Sequence, residues 1–271
     1  IPGISEKVVH NIVNFGVPDR VKKELEAIEK HQVHIITWED NEYPEHLKTI
    51  FDPPPILYLK GNHPQHHEIM VAVVGSRKAS TYGGITTEKI CRGLTLKGVT
   101  VVSGMARGID SAAHRGTLKA GGQTIAVMGC GVDVVYPPEN KQLYDEIVEK
   151  GAIISELPMH TKPDRRNFPA RNRIISGMSL GTVVVEADIR SGALITADTA
   201  LEQGREVFAV PGNINSSSSR GTNRLIKQGA ALIECADDIL HGLSLAISHE
   251  LKDLQPDLQP IQGRLGIFFG N

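Results

Sequence analysis

The sequence has few cysteines and no long apolar run, the features that are typical of disulfide-bonded secreted proteins and of membrane-spanning proteins. It contains three cysteines in 271 residues, Cys91, Cys130 and Cys235, and no Cys-x-x-Cys pair. An odd number of widely separated cysteines argues against a disulfide framework or a cysteine zinc site, and is typical of a reducing, cytoplasmic compartment. No apolar run reaches the roughly 18 residues of a membrane-spanning helix, so no membrane association is predicted.

An excess of one charge and a large aromatic content are also missing. The chain has 29 basic and 31 acidic residues, a net charge of −2, and 4% aromatic residues. This balance argues against a surface coated in nucleic acid, but it permits a basic groove on a neutral body. A broad base-stacking surface is not expected, so each aromatic residue in a loop gains importance. The chain begins at Ile1 rather than Met, which indicates an excised segment.

One stretch is locally basic. Between His160 and Arg173 the only acid is Asp164, and the five basic residues are Lys162, Arg165, Arg166, Arg171 and Arg173. Phe168 and Asn172 lie among them, and the apolar pair Ile174-Ile175 follows. Because the planar arginine fork matches two phosphate oxygens, the stretch predicts a phosphate-gripping loop that leads into a buried helix. The alternative is a solvated loop whose arginines pair with carboxylates.

Residues 1–62 predict a small helical N-terminal unit followed by a linker. Pro18-Asp19 starts an amphipathic helix, and 33–38 and 56–59 are candidate strands. His63, His66 and His67 cluster in the linker without a carboxylate or cysteine nearby in sequence. No metal site is therefore predicted.

From residue 69 the pattern repeats as strand, glycine-bearing turn and helix. The candidate strands are 69–75, 99–104, 123–131, 152–156, 181–187, 205–212 and 230–234. Nearly continuous Val/Ile runs that alternate with helices predict an α/β fold, a Rossmann-like, doubly wound and mostly parallel sheet over residues 63–242. Residues 243–271 are interpreted as a tail or the start of a further domain.

In such a sheet, ligands bind where the strands end and helix N-termini point. Neither the P-loop pattern nor the dinucleotide G-x-G-x-x-G follows the first strand. The turns at 75–77, 103–104 and 107–108 fit backbone N–H nests for an anion, or tight turns that need glycine for steric reasons alone. The stretch 167–173 is expected to overhang the same edge.

Catalytic groups are sparse. Ser76, Ser103 and Ser191 are nucleophile candidates only if a histidine lies close. Ser191 is also the predicted N-cap of the helix that follows the fifth strand. His114 stands four residues after Asp110, where pairing on a helix surface is the simpler interpretation. Asp133 and Glu186 both follow strands, but two carboxylates without metal-ligand spacing are weak evidence for a hydrolase. No catalytic residue, cofactor or metal is predicted.

Eight segments occur in a fixed order between about residues 20 and 240. They are GSR at 75–77, SGMARGID at 103–110, GCGVDVVYPPEN at 129–140, SELP at 155–158, FPARNRIISGMS at 168–179, VVVEA at 183–187, SGALITADTALEQGREVFAVPGN at 191–213 and GTNRLIKQGA at 221–230. Together they resemble the DNA-processing protein A family, also called DprA or Smf. IPGISEKVV resembles the end of a helix-hairpin-helix or SAM-like domain, and the C-terminal winged helix of many members is not visible.

The resemblance implies a cytoplasmic recombination mediator with no established catalysis. Such proteins bind single-stranded DNA that enters a cell in natural transformation, protect it and load RecA onto it. The resemblance also implies a homodimer built through the Rossmann-like domain. The arginine of the family's GSR motif corresponds to Arg77, and the family's FPxRNR motif corresponds to residues 168–173. The expected DNA-binding residues are Gly75, Ser76, Arg77, Ser103, Gly104, Arg107, Gly108, Arg165, Arg166, Phe168, Arg171, Asn172 and Arg173. Alanine at Arg77 or Arg173 is expected to weaken DNA binding by roughly 1–3 kcal/mol.

Two other interpretations remain open. The first is a nucleotide-processing enzyme resembling lysine-decarboxylase-like phosphoribohydrolases. Its PGGxGT stretch is absent, and the nearest text is PGN at 211–213 and GT at 221–222. The second is a dimeric scaffold for partner proteins. Turnover of a nucleoside monophosphate distinguishes the enzyme, and DNA affinity that is indifferent to Arg77 and Arg173 distinguishes the scaffold.

Overall fold

The structure is a computed structural model that describes residues 5–13, 16–62 and 69–244. The histidine cluster at 63–67 lies outside these residues, as does the tail from residue 245. The helices are α1 (Glu6–Val13), α2 (Asp19–Lys30), α3 (Glu45–Lys48), α4 (Thr81–Leu96), α5 (Ile109–Lys119), α6 (Lys141–Lys150), α7 (Asn167–Gly177), α8 (Gly192–Glu202) and α9 (Arg220–Lys227), and residues 236–244 are also helical. The strands are β1 (His34–Thr37), β2 (Ile56–Gly61), β3 (Met70–Val74), β4 (Thr100–Ser103), β5 (Thr124–Val127), β6 (Ala152–Ser155), β7 (Gly181–Val184), β8 (Glu206–Ala209) and β9 (Ala231–Leu232).

The strands form one sheet in the order β1-β2-β6-β5-β4-β3-β7-β8-β9. From β6 to β9 every neighbouring pair is parallel, whereas β1–β2 and β2–β6 are antiparallel. The predicted fold class, a mostly parallel Rossmann-like sheet with helices, is confirmed. The central strand β3 is buried at every position because helices cover both faces of the sheet.

The core has two sides, separated by the sheet. Ala72 and Val74 of β3 point to α7 and α8, where Ile174 and Ala197 join the same cluster. The alternating residues of β3 pack on the other face against α4, α5 and helix 236–244. This sandwich holds the ends of the central strands in fixed positions.

The N-terminal strands belong to this sheet. The β2 strand pairs antiparallel with β6, with Lys60 opposite Ile153, and β1 pairs with β2. The segment 34–61 therefore extends the sheet, although the sequence places it in a separate helical unit. The domain boundaries at 62 and 242 stay predictions.

The chain reverses its direction of winding at β3. It runs from β3 through β4 and β5 to β6 on one side, and then crosses to β7 on the other side of β3. In doubly wound sheets such a reversal opens a crevice at the carboxyl ends of the two strands.

None of the helices in the described part of the chain is long and apolar enough to cross a membrane.

Candidate nucleic-acid interface

A cleft of about 790 Å³ opens at this reversal. Its walls are the loop after β3, the first half of α7, the loop 188–192 after β7, and Ser217-Ser218. Seven of the thirteen residues expected from the sequence line it: Gly75, Ser76, Arg77, Arg165, Phe168, Arg171 and Asn172. Gly104 and Arg107 line a small adjacent hollow of about 30 Å³, shared with Arg77, Phe168 and Arg171. Ser103, Gly108, Arg166 and Arg173 line neither space.

Two glycines allow the loops after β3 and β4 to touch. Gly108 has a φ of +75°, and a Cβ there would overlap the carbonyl oxygen of Ser76. A Cβ on Gly75 would lie 2.7 Å from the Ile109 side chain. Gly108 therefore serves the close approach of two backbones, and Gly75 the close approach of the Ile109 side chain, as the steric interpretation of these turns predicts.

The motif FPARNR forms the beginning of a helix rather than a loop. The α7 helix starts at Asn167, so Phe168 and Pro169 lie in its first turn. Proline is tolerated there because the first backbone N–H groups have no partner within the helix. The helix then separates its arginines, since successive side chains point in different directions.

Four basic side chains at the cleft are exposed and have no ion-pair partner among the described residues. They are Arg77, Lys78, Arg165 and Arg190. The exposed acid in the lining is Asp188. Sequence reasoning missed Lys78 and Arg190. The signal for Arg190 is a basic residue in the loop after a parallel strand, directly before the helix cap Ser191.

Three other arginines are paired with carboxylates, as the alternative of structural pairs predicts. Arg107 pairs with Glu139, which raises the pKa of the arginine and lowers that of the acid. Arg166 bonds both oxygens of Asp164, at 3.0 and 3.2 Å.

Arg173 faces away from the cleft. Its guanidinium donates to Glu156 at 2.6 Å and to Asp52 at 3.3 Å, and its side chain is 20% exposed. The sequence grouped Arg173 with the DNA-binding residues because it lies close along the chain. The helix turns it towards a different set of partners.

Arg171 is buried beneath the cleft. Its Nη1 donates to the carbonyl oxygens of Gly104, at 2.8 Å, and of Val127, where β4 and β5 end. Burial lowers the pKa of the guanidinium to about 10, while nearby Asp110 acts in the opposite direction. A Cβ on Gly104 would lie 2.6 Å from Nη1, so glycine makes room for the arginine. Arg171 thus fastens two strand ends together.

The turn after β4 already holds a carboxylate of the protein. Asp110 is buried in the first turn of α5, and its Oδ2 accepts a hydrogen bond from the N–H of Ala106 at 3.3 Å. Burial raises the pKa of Asp110, and Arg171 partly offsets this. Ser103 is also buried and donates to the carbonyl oxygen of Val73 at 2.6 Å. The predicted N–H nest at 103–108 is therefore occupied by the carboxylate of Asp110, a group of the protein itself.

The N-terminus of α4 is occupied in the same way. Glu186 is buried, and its carboxylate accepts from the N–H of Ser80 at 2.9 Å and from its hydroxyl at 2.5 Å. Ser218 donates to the same carboxylate at 3.2 Å. A carboxylate at a helix N-terminus satisfies the unpaired N–H groups and the helix dipole. A carboxylate of the protein therefore takes the usual phosphate position at this helix N-terminus.

Replacing Glu186 with Gln tests this structural role. The free energy of unfolding is expected to fall by about 1–3 kcal/mol, because three hydrogen bonds to a buried charged acceptor are weakened. Equilibrium urea unfolding measures the change. Glu202→Gln, on the exposed end of α8, is the matched control and is expected to leave stability unchanged. An unchanged Glu186→Gln protein would contradict the capping role.

Phe168 has neighbours on its ring. Tyr136 stacks on it with ring centroids 5.6 Å apart and an interplanar angle of 28°, and the Arg77 guanidinium carbon lies 5.6 Å from its centroid. Gly129 permits this position, since a Cβ there would lie 2.7 Å from the ring. Arginine and aromatic faces attract each other. The arrangement provides a π surface and a cation at one point of the cleft.

The catalytic candidates do not assemble. His114 is buried and its Nδ1 lies 2.8 Å from the Thr124 hydroxyl; burial lowers its pKa to about 3. The hydroxyl of Ser76 accepts from the N–H of Lys78, and Ser191 caps α8 as predicted. Asp133 and Glu186 lie in separate hydrogen-bond networks, since Asp133 contacts His160.

The fold and the cleft define a Rossmann-like protein with an open basic and aromatic site at the strand reversal. Residues 34–244 match the family described as DNA recombination-mediator protein A. The chain belongs to this family, which confirms the resemblance found in the sequence.

Individual relatives agree with this. Protein Smf from Escherichia coli is 43% identical over 234 residues, which cover 86% of this chain and 62% of Smf. The chain thus spans less than two thirds of that relative. The crystal structure of DNA processing protein A from Streptococcus pneumoniae is 41% identical, with a TM-score of 0.79 and coverage of 88% of this chain and 83% of that one. DNA processing protein A from Helicobacter pylori, studied for its single-stranded DNA binding mode, is 30% identical with a TM-score of 0.66, covering 81% of this chain and 97% of that one.

Proposed function

We propose that this protein binds single-stranded DNA in the cleft at the strand reversal and acts as a recombination mediator. The observation that carries the proposal is the set of four basic side chains, Arg77, Lys78, Arg165 and Arg190, that surround the cleft without carboxylate partners among the residues that the structure describes. Arginine and lysine that are not neutralised within the protein attract phosphates strongly.

Each side chain has a definite role in this proposal. Arg77 and Arg165 bind successive phosphates from the β3 and α7 sides, and Arg190 binds from the β7 side. Phe168 offers its ring to a base, and Asn172, which both donates and accepts hydrogen bonds, contacts a base edge. Gly75 and Ser76 let the nucleic-acid backbone approach the loop closely.

The size of the cleft favours a single strand. Its volume of about 790 Å³ lies in the range of sites that hold nucleotide-sized ligands. A base reaches Phe168 only when it is unstacked from its neighbours, and single strands meet this requirement at low cost. The relative from Helicobacter pylori, studied for its single-stranded DNA binding mode, supports the same ligand.

The roles implied for the whole protein belong to the same proposal. We infer that the protein forms homodimers, protects incoming DNA and loads RecA onto it during natural transformation. Membership of the recombination-mediator family supports these roles. The three cysteines are free thiols, which is consistent with a cytoplasmic location.

A nucleotide-processing enzyme would need a group in the cleft that transfers protons. The buried carboxylates near the cleft are engaged otherwise: Asp110 binds the turn after β4, and Glu186 caps α4. The exposed acid of the lining, Asp188, accepts from the backbone N–H of Ile189 at 2.7 Å. His114 is buried against Thr124. Turnover of a nucleoside monophosphate by the protein would nevertheless replace DNA binding as the primary activity.

The test compares two single-arginine variants by fluorescence anisotropy of a labelled oligo-dT. Arg77→Ala is expected to weaken binding by roughly 1–3 kcal/mol, because one charge-assisted phosphate contact is lost. Arg166→Ala removes the same charge from a residue that already pairs with Asp164, and is expected to bind like the wild type. Equal affinities for all three proteins would place the DNA interface elsewhere.

A further inference from the structure

A second group of polar side chains lies away from the DNA cleft. It consists of His31, at the C-terminal end of α2, Asp133, in the loop after β5, and His160, in the turn before α7. One potential ligand atom of each residue lies within 4.8 Å of the other two. We call this group the His31–Asp133–His160 cluster. It brings together three segments that are distant in the sequence.

Asp133 is the centre of the cluster. Its Oδ1 accepts a hydrogen bond from the N–H of His160 at 2.8 Å, and its Oδ2 lies 2.5 Å from Nδ1 of the same residue. The imidazole rings of His31 and His160 meet edge to face, with centroids 5.9 Å apart.

The local backbone is shaped to bring these groups together. His160 has a φ of +62°, which is uncommon for a residue other than glycine. The turn that contains it is closed by Thr161, whose hydroxyl donates to the carbonyl oxygen of Pro158 at 2.7 Å. A Cβ on Gly131 would lie 2.7 Å from Asp133 Oδ1, so glycine leaves room for the carboxylate.

The charge of Asp133 is poorly compensated. Its side chain is 5% exposed, and its one ion-pair partner among the described residues is His160, which is charged only when protonated. A carboxylate that is withdrawn from water requires a cation or several hydrogen bonds. Two imidazoles beside such a carboxylate are the ligand set that zinc prefers in the absence of cysteine.

We propose that His31, Asp133 and His160 bind one zinc ion, with a water molecule as the fourth ligand. In tetrahedral coordination with bonds of about 2.0–2.1 Å, ligand atoms lie roughly 3.3 Å apart. The observed separations, from 2.5 Å to at most 4.8 Å, bracket this value. Small side-chain rotations suffice, and His160 has room to rotate because its side chain is 64% exposed.

Zinc at this position joins α2 to the body of the protein. The α2 helix already contacts the body through a hydrogen bond of 2.7 Å from the N–H of Met159 to Glu24, and through Ala27 and Ile28, which pack against the core. The loop that carries Asp133 also carries Tyr136, which stacks on Phe168. The ion therefore holds the N-terminal helix against the loops that lead to the cleft, and the site stands independently of what the cleft binds.

The experiment uses the full chain, stripped of metal and titrated with zinc in competition with a chromophoric chelator. One zinc per chain is expected. His31→Gln and Asp133→Asn are each expected to weaken zinc binding by roughly 10–100-fold or more, since even residues that only support a ligand have effects of this size. Zinc is also expected to raise the midpoint of thermal unfolding of the wild type and not of these variants.

Two controls separate this site from other histidines. His241→Gln changes an exposed residue of helix 236–244, and the triple variant His63→Gln/His66→Gln/His67→Gln removes the linker cluster; both are expected to keep wild-type affinity. The proposal is overturned if the wild type fails to bind stoichiometric zinc, if His31→Gln and Asp133→Asn bind it as tightly as the wild type, or if only the linker variant loses it. Circular dichroism checks that each variant is folded, and His31→Gln carries the test alone if Asp133→Asn is not.

Discussion

Replacing Arg171 with Met is expected to lower the free energy of unfolding by about 3–5 kcal/mol, the cost of removing one partner from a buried charged network. Met keeps much of the aliphatic volume but donates no hydrogen bond. The carbonyl oxygens of Gly104 and Val127 lose their donor, and the buried carboxyl of Asp110 loses the nearby positive charge. Equilibrium urea unfolding, followed by circular dichroism, measures the loss.

The control for this variant is Arg166→Met. Arg166 is highly exposed and its ion-pair partner within the described part of the chain is the partly exposed Asp164, so stability is expected to be unchanged. The comparison also tests the assignment made from the sequence, where Arg171 is a DNA ligand. If Arg171→Met were as stable as the wild type but bound DNA poorly, Arg171 would be a ligand and its structural role would be wrong.

The triple variant Arg77→Ala/Arg165→Ala/Arg190→Ala is expected to lose at least about a hundredfold in affinity for single-stranded DNA. Each basic side chain that binds a phosphate adds about 0.7 to the slope of log affinity against log salt concentration for a single strand. Removing three should therefore reduce the slope by about 2. Anisotropy titrations of oligo-dT at several salt concentrations measure both quantities.

A matched triple variant removes the same charge from paired positions. Arg107, Arg166 and Lys141 pair with Glu139, Asp164 and Asp145, so Arg107→Ala/Arg166→Ala/Lys141→Ala lowers the net charge equally. It is expected to retain most of the affinity and of the salt slope. If the two triple variants lose affinity to the same extent, binding depends on overall charge and the cleft has no special role.

The parallel part of the sheet and the helices that alternate with its strands are predictable from the sequence alone. The Val/Ile run of β3 is buried on both sides, and this pattern identifies a central parallel strand without reference to any other part of the chain. Ser191 is likewise predicted as a helix cap because it directly precedes a helical stretch, and its hydroxyl accepts from the N–H of Ala193, two residues away. Structural features that depend on residues close together in the sequence can therefore be predicted from the sequence.

Which basic residues are available to a ligand depends on the three-dimensional fold. Arg171 and Arg173 are two residues apart, yet one binds strand carbonyls and the other binds Glu156 and Asp52. Glu186, just after β7, reaches the N-cap of α4 from more than a hundred residues later in the chain. Ion pairs and buried hydrogen bonds act over a few ångströms in space, and their partners come from any position in the sequence. Local patterns therefore located the site, and the fold determined which of its charges remain unpaired.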